Sequence, residues 1–272
     1  MKKTLKRTLV RLHTAILGAI ALIATIVVIE VSLGGAKTCT NIEAWLLCQI
    51  RESTLINIVE SFSILVAVFL FFLETPERDK KSHYEAWKVI DAAHGLKTSY
   101  ARFQALQDLN EDDVSLHGLN APEADLRGIN LSGADLSHAY LSGADLRFAN
   151  LSYANLENVN LVETNLSNAN LSNAHLNGAN LTYSNCIETN LQNANLVATN
   201  LLGANLVRAK LDRAYFGDAQ FNQCILQDAT VKQTKFFGVE NLTKKQIQST
   251  RNWQEGIYDT KLLIRLGLKF DH

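Results

Sequence analysis

From Leu126 to Phe236 the chain places an apolar residue at every fifth position, 23 times without a break. Eighteen of these are Leu, three are Phe (Phe216, Phe221 and Phe236), one is Val231 and one is Cys186. The residue two places earlier is small in most repeats and is Ala in 15 of the 23. Asn or Asp commonly stands between them, as in Ala134-Asp135-Leu136 and Ala194-Asn195-Leu196. No regular element carries this period. In an α-helix each residue turns about 100°, so a five-residue step sends successive leucines around the cylinder. In a flat strand side chains alternate, and an odd step puts neighbouring leucines on opposite faces. The period is satisfied only if the chain bends once per repeat. Each pentapeptide then forms one short side of a coil. Leu and the small residue turn in, while the Asn or Asp and the two residues after Leu turn out.

The stretch from Ala124-Asp125-Leu126 through Ala229-Thr230-Val231 resembles the pentapeptide-repeat family, whose motif is A-(D/N)-L-x-x. The resemblance implies a mainly β fold, a right-handed quadrilateral β-helix in which four repeats make one coil. Positions four repeats apart then stack, and Leu136, Leu156, Leu176, Leu196, Phe216 and Phe236 form one column. Degenerate repeats centred on Leu116 and Ala121 extend the tract. That makes about 25 repeats, roughly six coils and a rod of about 30 Å, at about 4.8 Å per coil. Such a solenoid says much about fold and little about function.

The N-terminal part of the chain, over 1–75, has another character. Basic residues Lys2, Lys3, Lys6, Arg7 and Arg11 precede an apolar run over 12–33, and a second apolar run covers 55–73. Each is about long enough to span a bilayer as a helix. The reading is a transmembrane hairpin over 1–75. A cleaved signal peptide ending near Gly34-Gly35-Ala36 is the alternative for the first run. Positive charge flanks the outer ends of the hairpin (Arg78, Lys80 and Lys81 follow it), whereas the loop has only Lys37 and Arg51. The positive-inside rule therefore expects a two-pass protein with both termini in the cytoplasm. Cys39 and Cys48 fall in the outer loop, where a disulfide can persist. Glu30 and Glu60 lie within the apolar runs. They read either as an intramembrane acidic pair or as carboxylates reaching interfacial water.

A helical connector and N-terminal cap is expected over 76–113, the repeat coil over 114–240, and a helical C-terminal cap over 241–272. In the connector, Tyr84, Trp87 and Ile90, less clearly Ala86 and Ala93, suggest an amphipathic helix ended by Gly95. Its apolar face suits a membrane surface, with Trp87 at the interface, or packing against the coil. A second helix over about 99–109 presents Phe103, Leu106 and Leu109 as the first cap. An uncapped coil would expose unpaired edges. At the other end, Thr243-Lys244-Lys245-Gln246 fits a capping box. Trp253, Ile257 and Tyr258 are expected on the last coil, beside the Phe column. Asp259 or Thr260 starts a final helix, which Gly267 stops.

The residues offer little chemistry. His117, His138 and His175 map to one side of the rod at outward positions, but no Cys/His spacing supports a metal site. There is no Gly-rich phosphate loop and no nucleophile elbow. Asp125, Asp135 and Asp145 are read as lying on different sides, hence not an acid–base set. Cys186 and Cys224 occupy inward positions two coils apart, too far to bond. The expectation is a protein with no catalytic residues and no cofactor. Tyr140, Phe148 and Tyr153 turn outward early in the rod, with Arg147 as the nearby base, and mark a candidate partner surface.

Three functions follow. The first is a membrane-tethered structural or protein-interaction scaffold. The second is implied by the family resemblance, some of whose soluble members mimic DNA and bind topoisomerases. That needs a strongly acidic surface, yet residues 116–240 carry 11 acidic and 7 basic residues, a net of −4. The third is a regulator of membrane transport using Glu30 and Glu60. The net charge of the whole chain is −1, so nucleic acid is not expected as a partner. The resemblance also implies a bacterial, cyanobacterial-like member of the plasma or thylakoid membrane.

Overall fold

The structure is a computed structural model that describes residues 78–268. The apolar runs, with Glu30, Glu60, Cys39 and Cys48, lie outside the described residues. Among the described residues no helix is long and apolar enough to cross a membrane. The chain divides after Ser82. The second unit, from His83 onward, holds the caps and the coil.

The chain bends because each repeat closes a hydrogen-bonded turn. The N–H of the small residue donates to the carbonyl of the preceding Leu, as in Ala134 to Leu131 (3.1 Å) and Ala169 to Leu166 (2.9 Å). The third residue of each turn takes the left-handed conformation: Gly128 has φ 69°, and Phe148, Asn168 and Asn173 have φ of 60–61°. Such a φ at this position is what a type II turn requires. Four turns bring the chain back above itself. Parallel bridges then join residues one coil apart, from Asn120↔Tyr140 to Gln220↔Glu240. Three backbone hydrogen bonds per side tie neighbouring coils, for example Leu131 N–H to Asn150 O (2.8 Å), Gly133 N–H to Ser152 O (2.9 Å) and Asn150 N–H to Ile129 O (2.8 Å).

Every member of the five-residue period is at most 1% exposed. Each buried Leu contributes roughly 1.5–3 kcal/mol of hydrophobic transfer. The small position is buried throughout as well. Where it is Thr, the hydroxyl would be an orphan in this interior, but it finds the coil below. Thr164, Thr189, Thr199 and Thr234 donate to the carbonyls of Leu141, Leu166, Leu176 and Leu211 at 2.7–3.0 Å.

The Asn and Asp residues are not simply solvated. They are mostly half-buried, because Oδ1 accepts the N–H two residues on, as in Asn160 to Val162 (3.1 Å) and Asn200 to Leu202 (3.0 Å). This pairs a turn N–H that the bridges leave free. Their amides also stack between coils: Asn150 Nδ2 donates to Asn130 Oδ1 and Asn170 Nδ2 to Asn150 Oδ1.

Both edges of the coil are covered. Residues 78–92 are helical (α1), and Gly95, at φ 75°, lies in the turn that follows. Trp87, Ile90 and Ala93 face the core, so Trp87 is not a lipid-facing anchor, whereas Tyr84 is 61% exposed. Helix α2, Tyr100–Glu111, is N-capped by Ser99 and buries Leu106 and Leu109. It also buries Arg102, whose guanidinium donates to the carbonyls of Ala93 (3.0 Å) and Lys97 (2.9 Å). Lys97 O in turn accepts Asp125 N–H, and Gln107 Oε1 accepts Asn130 N–H, so the first coil's edge is paired.

At the far end, β1 (Lys235–Phe236) pairs in parallel with β2 (Ile257–Tyr258). Phe216, Phe236 and Tyr258 stack with ring centroids 5.6 and 5.5 Å apart, extending the Phe column into the cap. Ile257, expected on the core, is instead 40% exposed, since its strand neighbour Tyr258 takes the inward place. Helix α3, Lys244–Gln248, opens with the expected capping box at Thr243, and Gln246 Nε2 donates to the carbonyls of Phe221 and Cys224. Helix α4, Thr260–Leu266, is N-capped by Asp259 and ends at the left-handed Gly267.

Candidate functional site

Four walls follow from the stacking of successive coils. Asp135 and Asn155 lie on the first, Tyr140 and Asn160 on the second, Asp145 and Asn165 on the third, Asn150 and Asn170 on the fourth. Asp125 and Asp145 are bridge partners on one wall. The expectation that they lie on different sides is therefore wrong, although Asp135 does stand on the opposite wall.

The column at Asp125 and Asp145 carries an alternating charge ladder. Arg127 grips Asp125 in a bidentate pair (2.8 and 2.7 Å), and Arg147 grips Asp145 likewise (2.9 and 2.6 Å). Arg127 also reaches Asp145 at 3.7 Å. Hydrogen bonds from the arginines hold both carboxyls below the usual aspartate range, more than offsetting the cost of partial burial. The same bonds push the guanidinium pKa values up. Two Asp and two Arg cancel locally, so the arginines are already engaged and do not form a free phosphate clamp.

This ladder floors an open groove of about 640 Å³ between α2 and the third wall, lined by Tyr100, Phe103, Asp125, Arg127, Arg147 and Phe148 among others. Tyr100 is 81% exposed and Phe148 65%. Phe148 occupies the left-handed third position of its turn (φ 60°), as the corresponding residue of every repeat does. Aromatic rings beside arginines, with the charge internally balanced, are the composition of a protein-binding surface.

The structure thus joins only part of the expected partner surface. Arg147 and Phe148 line the groove. Tyr140, on the second wall, and Tyr153, after Leu151 on the fourth wall, do not. Arg147 is not the only base there, since Arg127 stands one coil below. Counting one coil back from Arg147 finds Arg127 in the sequence. Tyr100 and Phe103 have no such signal, because α2 lies outside the period.

On the first wall, Ser115 Oγ and Ser137 Oγ donate to Asp135 at 2.6 and 2.7 Å, and Asn155 Nδ2 donates at 3.0 Å. Burial raises the Asp135 pKa, but these bonds outweigh it and hold the carboxyl below its ordinary value. His117 Nδ1 lies 2.9 Å from Ser137 Oγ. The order is Asp–Ser–His, with Ser giving its proton to Asp, so no base activates the hydroxyl. His138 packs edge-on to His117 with ring centroids 5.2 Å apart. His175 also bridges into this wall, one coil beyond Asn155.

Cys186 and Cys224 are free and buried. Burial pushes the Cys186 thiol up to about 11 and raises Cys224 further, so neither is a ready nucleophile. Among the described residues no group of three or more His, Cys, Asp or Glu could hold a metal ion.

A family model described as pentapeptide repeats matches in 8 copies over residues 112–147, 124–161, 160–196 and 189–228. No curated protein matches the chain. Among solved structures, the chain is similar to the pentapeptide-repeat protein Rfr23 from the cyanobacterium Cyanothece 51142, at 28% identity over 53% of this chain and 88% of that one, TM-score 0.30. It is similar to HetL from Nostoc sp. strain PCC 7120, a protein involved in heterocyst differentiation regulation, at 28% identity over 45% of this chain and 62% of HetL, TM-score 0.25. It is also similar to QnrB1, a plasmid-mediated fluoroquinolone resistance protein, at 20% identity over 57% of this chain and 92% of that one, TM-score 0.33.

Proposed function

Residues 112–228 of this chain belong to the pentapeptide-repeat family, and on that premise we propose that the protein is a non-catalytic interaction scaffold, held at a membrane by its N-terminal apolar segments. The coil offers no assembled catalytic group: its inward residues are packed or hydrogen-bonded. The groove of Tyr100, Phe103, Arg127, Arg147 and Phe148 is the observation that carries the reading. It offers exposed rings on a rigid backing, which docks a partner with little ordering cost. Two apolar runs of bilayer length and the charge flanking them support a two-pass anchor with both termini cytoplasmic. The membrane is a bacterial plasma membrane or a thylakoid membrane.

The alternative of a DNA mimic for a topoisomerase requires rows of unpaired carboxylates. Here Glu123, Asp125, Asp145, Glu188 and Asp228 are each within salt-bridge distance of Lys97, Arg127, Arg147, Arg208 and Arg251 respectively. With these five carboxylates neutralised and a net of only −4 over residues 116–240, the walls favour a partner recognised by the aromatic groove over a DNA mimic.

A photo-crosslinking residue at Phe148, in the full chain in native membranes, tests the reading. A discrete protein adduct is expected there, absent when the crosslinker replaces Asn170 on the fourth wall and lost on Tyr100→Ala. Equal labelling from both positions, or none from Phe148, removes the groove as the docking site.

A further inference from the structure

We infer that His117 and His138 form a chelating site for a divalent late first-row transition metal, on the wall opposite the groove. Three observations lead there. The first is spacing. A metal–nitrogen bond of about 2.0–2.1 Å puts a ring centre about 3.2 Å from the ion, so two imidazoles on one ion have centres about 4.5 Å apart at the 90° of tetragonal copper and about 5.2 Å apart at a tetrahedral angle. The centroids of His117 and His138 are 5.2 Å apart.

The second is the tautomer of His117. Asp135 is an acceptor only, and Ser137 Oγ donates its one proton to Asp135 at 2.7 Å. Ser137 is therefore an acceptor toward His117 Nδ1 at 2.9 Å, and that nitrogen carries the hydrogen. The Nε2 lone pair is left for a ligand. Metal-binding histidines are held in this way, one nitrogen donating to an acceptor of the outer shell while the other binds the ion. Ser115 and Asn155 add two further bonds to the same carboxylate, so the support is fixed.

The third is freedom on the other side. His138 sits at an exposed turn with φ 57°, and a turn of its ring about χ2 converts the edge-on pair into a chelate. Imidazole pairs suit copper, nickel and zinc, with copper bound most strongly. Two protein nitrogens leave open positions on the ion, to be filled by water or by a carboxylate or imidazole from a docked protein. The placement has a sequence origin: His117 and His138 are separated by one coil plus one position, a relation that no linear metal motif contains.

The test is Cu²⁺ titration of the full-length, tag-free chain in detergent micelles, by calorimetry and electron paramagnetic resonance. One equivalent bound with two nitrogen ligands is expected. His117→Gln and His138→Gln, each alone, should weaken that event at least about tenfold and remove one nitrogen from the spectrum. Ser137→Ala should weaken it by about 10–100-fold, as loss of an outer-shell partner does. His175→Gln should leave it unchanged. No stoichiometric binding, or binding of wild-type strength in either the His117 or the His138 variant, overturns the site. A fall of the same size with His175→Gln does so too, since it would mean diffuse binding along the wall. Because the hairpin and groove take no part in the readout, failure here leaves the scaffold reading standing, and the reverse.

Discussion

Leu176→Ala tests whether the five-residue period is a column of a closed core. Leu176 is fully buried, and its backbone is pinned to the next coil by the bond from its N–H to Asn195 O (2.7 Å). His175 O is likewise tied to Leu156 N–H at 2.7 Å. Leu→Ala in a core costs about 2.7–5.0 kcal/mol, the upper part applying where the surroundings cannot close on the cavity. The ladders on either side hold the coils at a fixed spacing, so about 4 kcal/mol is expected. A solenoid spreads a defect mainly to nearest neighbours. Amide hydrogen exchange of the full chain, read by mass spectrometry, should therefore speed up by about a thousandfold in peptides spanning residues 156–200, each tenfold being about 1.4 kcal/mol. Asn177→Val is the control one residue away. Its Oδ1 is buried with no partner, so losing it should change exchange by less than about tenfold, in either direction. If Leu176→Ala accelerates exchange by less than tenfold, the leucine columns are not close-packed and the derivation of the fold from the period is wrong.

Thr199→Val removes the buried donor to Leu176 O and should cost about 0.5–1.5 kcal/mol by the same exchange readout, with no cavity to add to it. Acid should loosen the third wall: Asp125 and Asp145 have folded pKa values below the unfolded value, so their contribution is complete above about pH 4 and is lost as pH falls through the folded values. An acid-unfolding curve of Asp145→Asn should be flatter than that of the native chain. Cys186 and Cys224 should resist iodoacetamide at neutral pH until denaturant is added; mass spectrometry showing rapid alkylation of the native chain would contradict their burial.

The interior is legible from sequence because it is periodic. Leu126 through Phe236 are buried where five-residue counting puts them, and the capping box at Thr243 and the stop at Gly267 stand where local rules place them. What escapes is long-range or individual. Nothing in the helix period singles out Arg102, yet it is buried because two backbone carbonyls, of Ala93 and Lys97, meet its guanidinium. The Asn rows read as solvated, but their amides bond within and between turns. The groove needs the position of α2 against the third wall, which no period specifies. Tyr140 groups with Phe148 by closeness in sequence, although one repeat along this chain is a quarter turn around the coil. Asp125 and Asp145 are separable only by neglecting the coil-on-coil stacking that the leucine column already implies.

The claim that this scaffold works at a membrane is tested most directly by alkaline carbonate extraction of membranes containing the full chain, beside a variant lacking residues 12–73. The full chain should stay in the pellet and the variant should appear in the supernatant. Release of the full chain by carbonate would contradict the anchored scaffold.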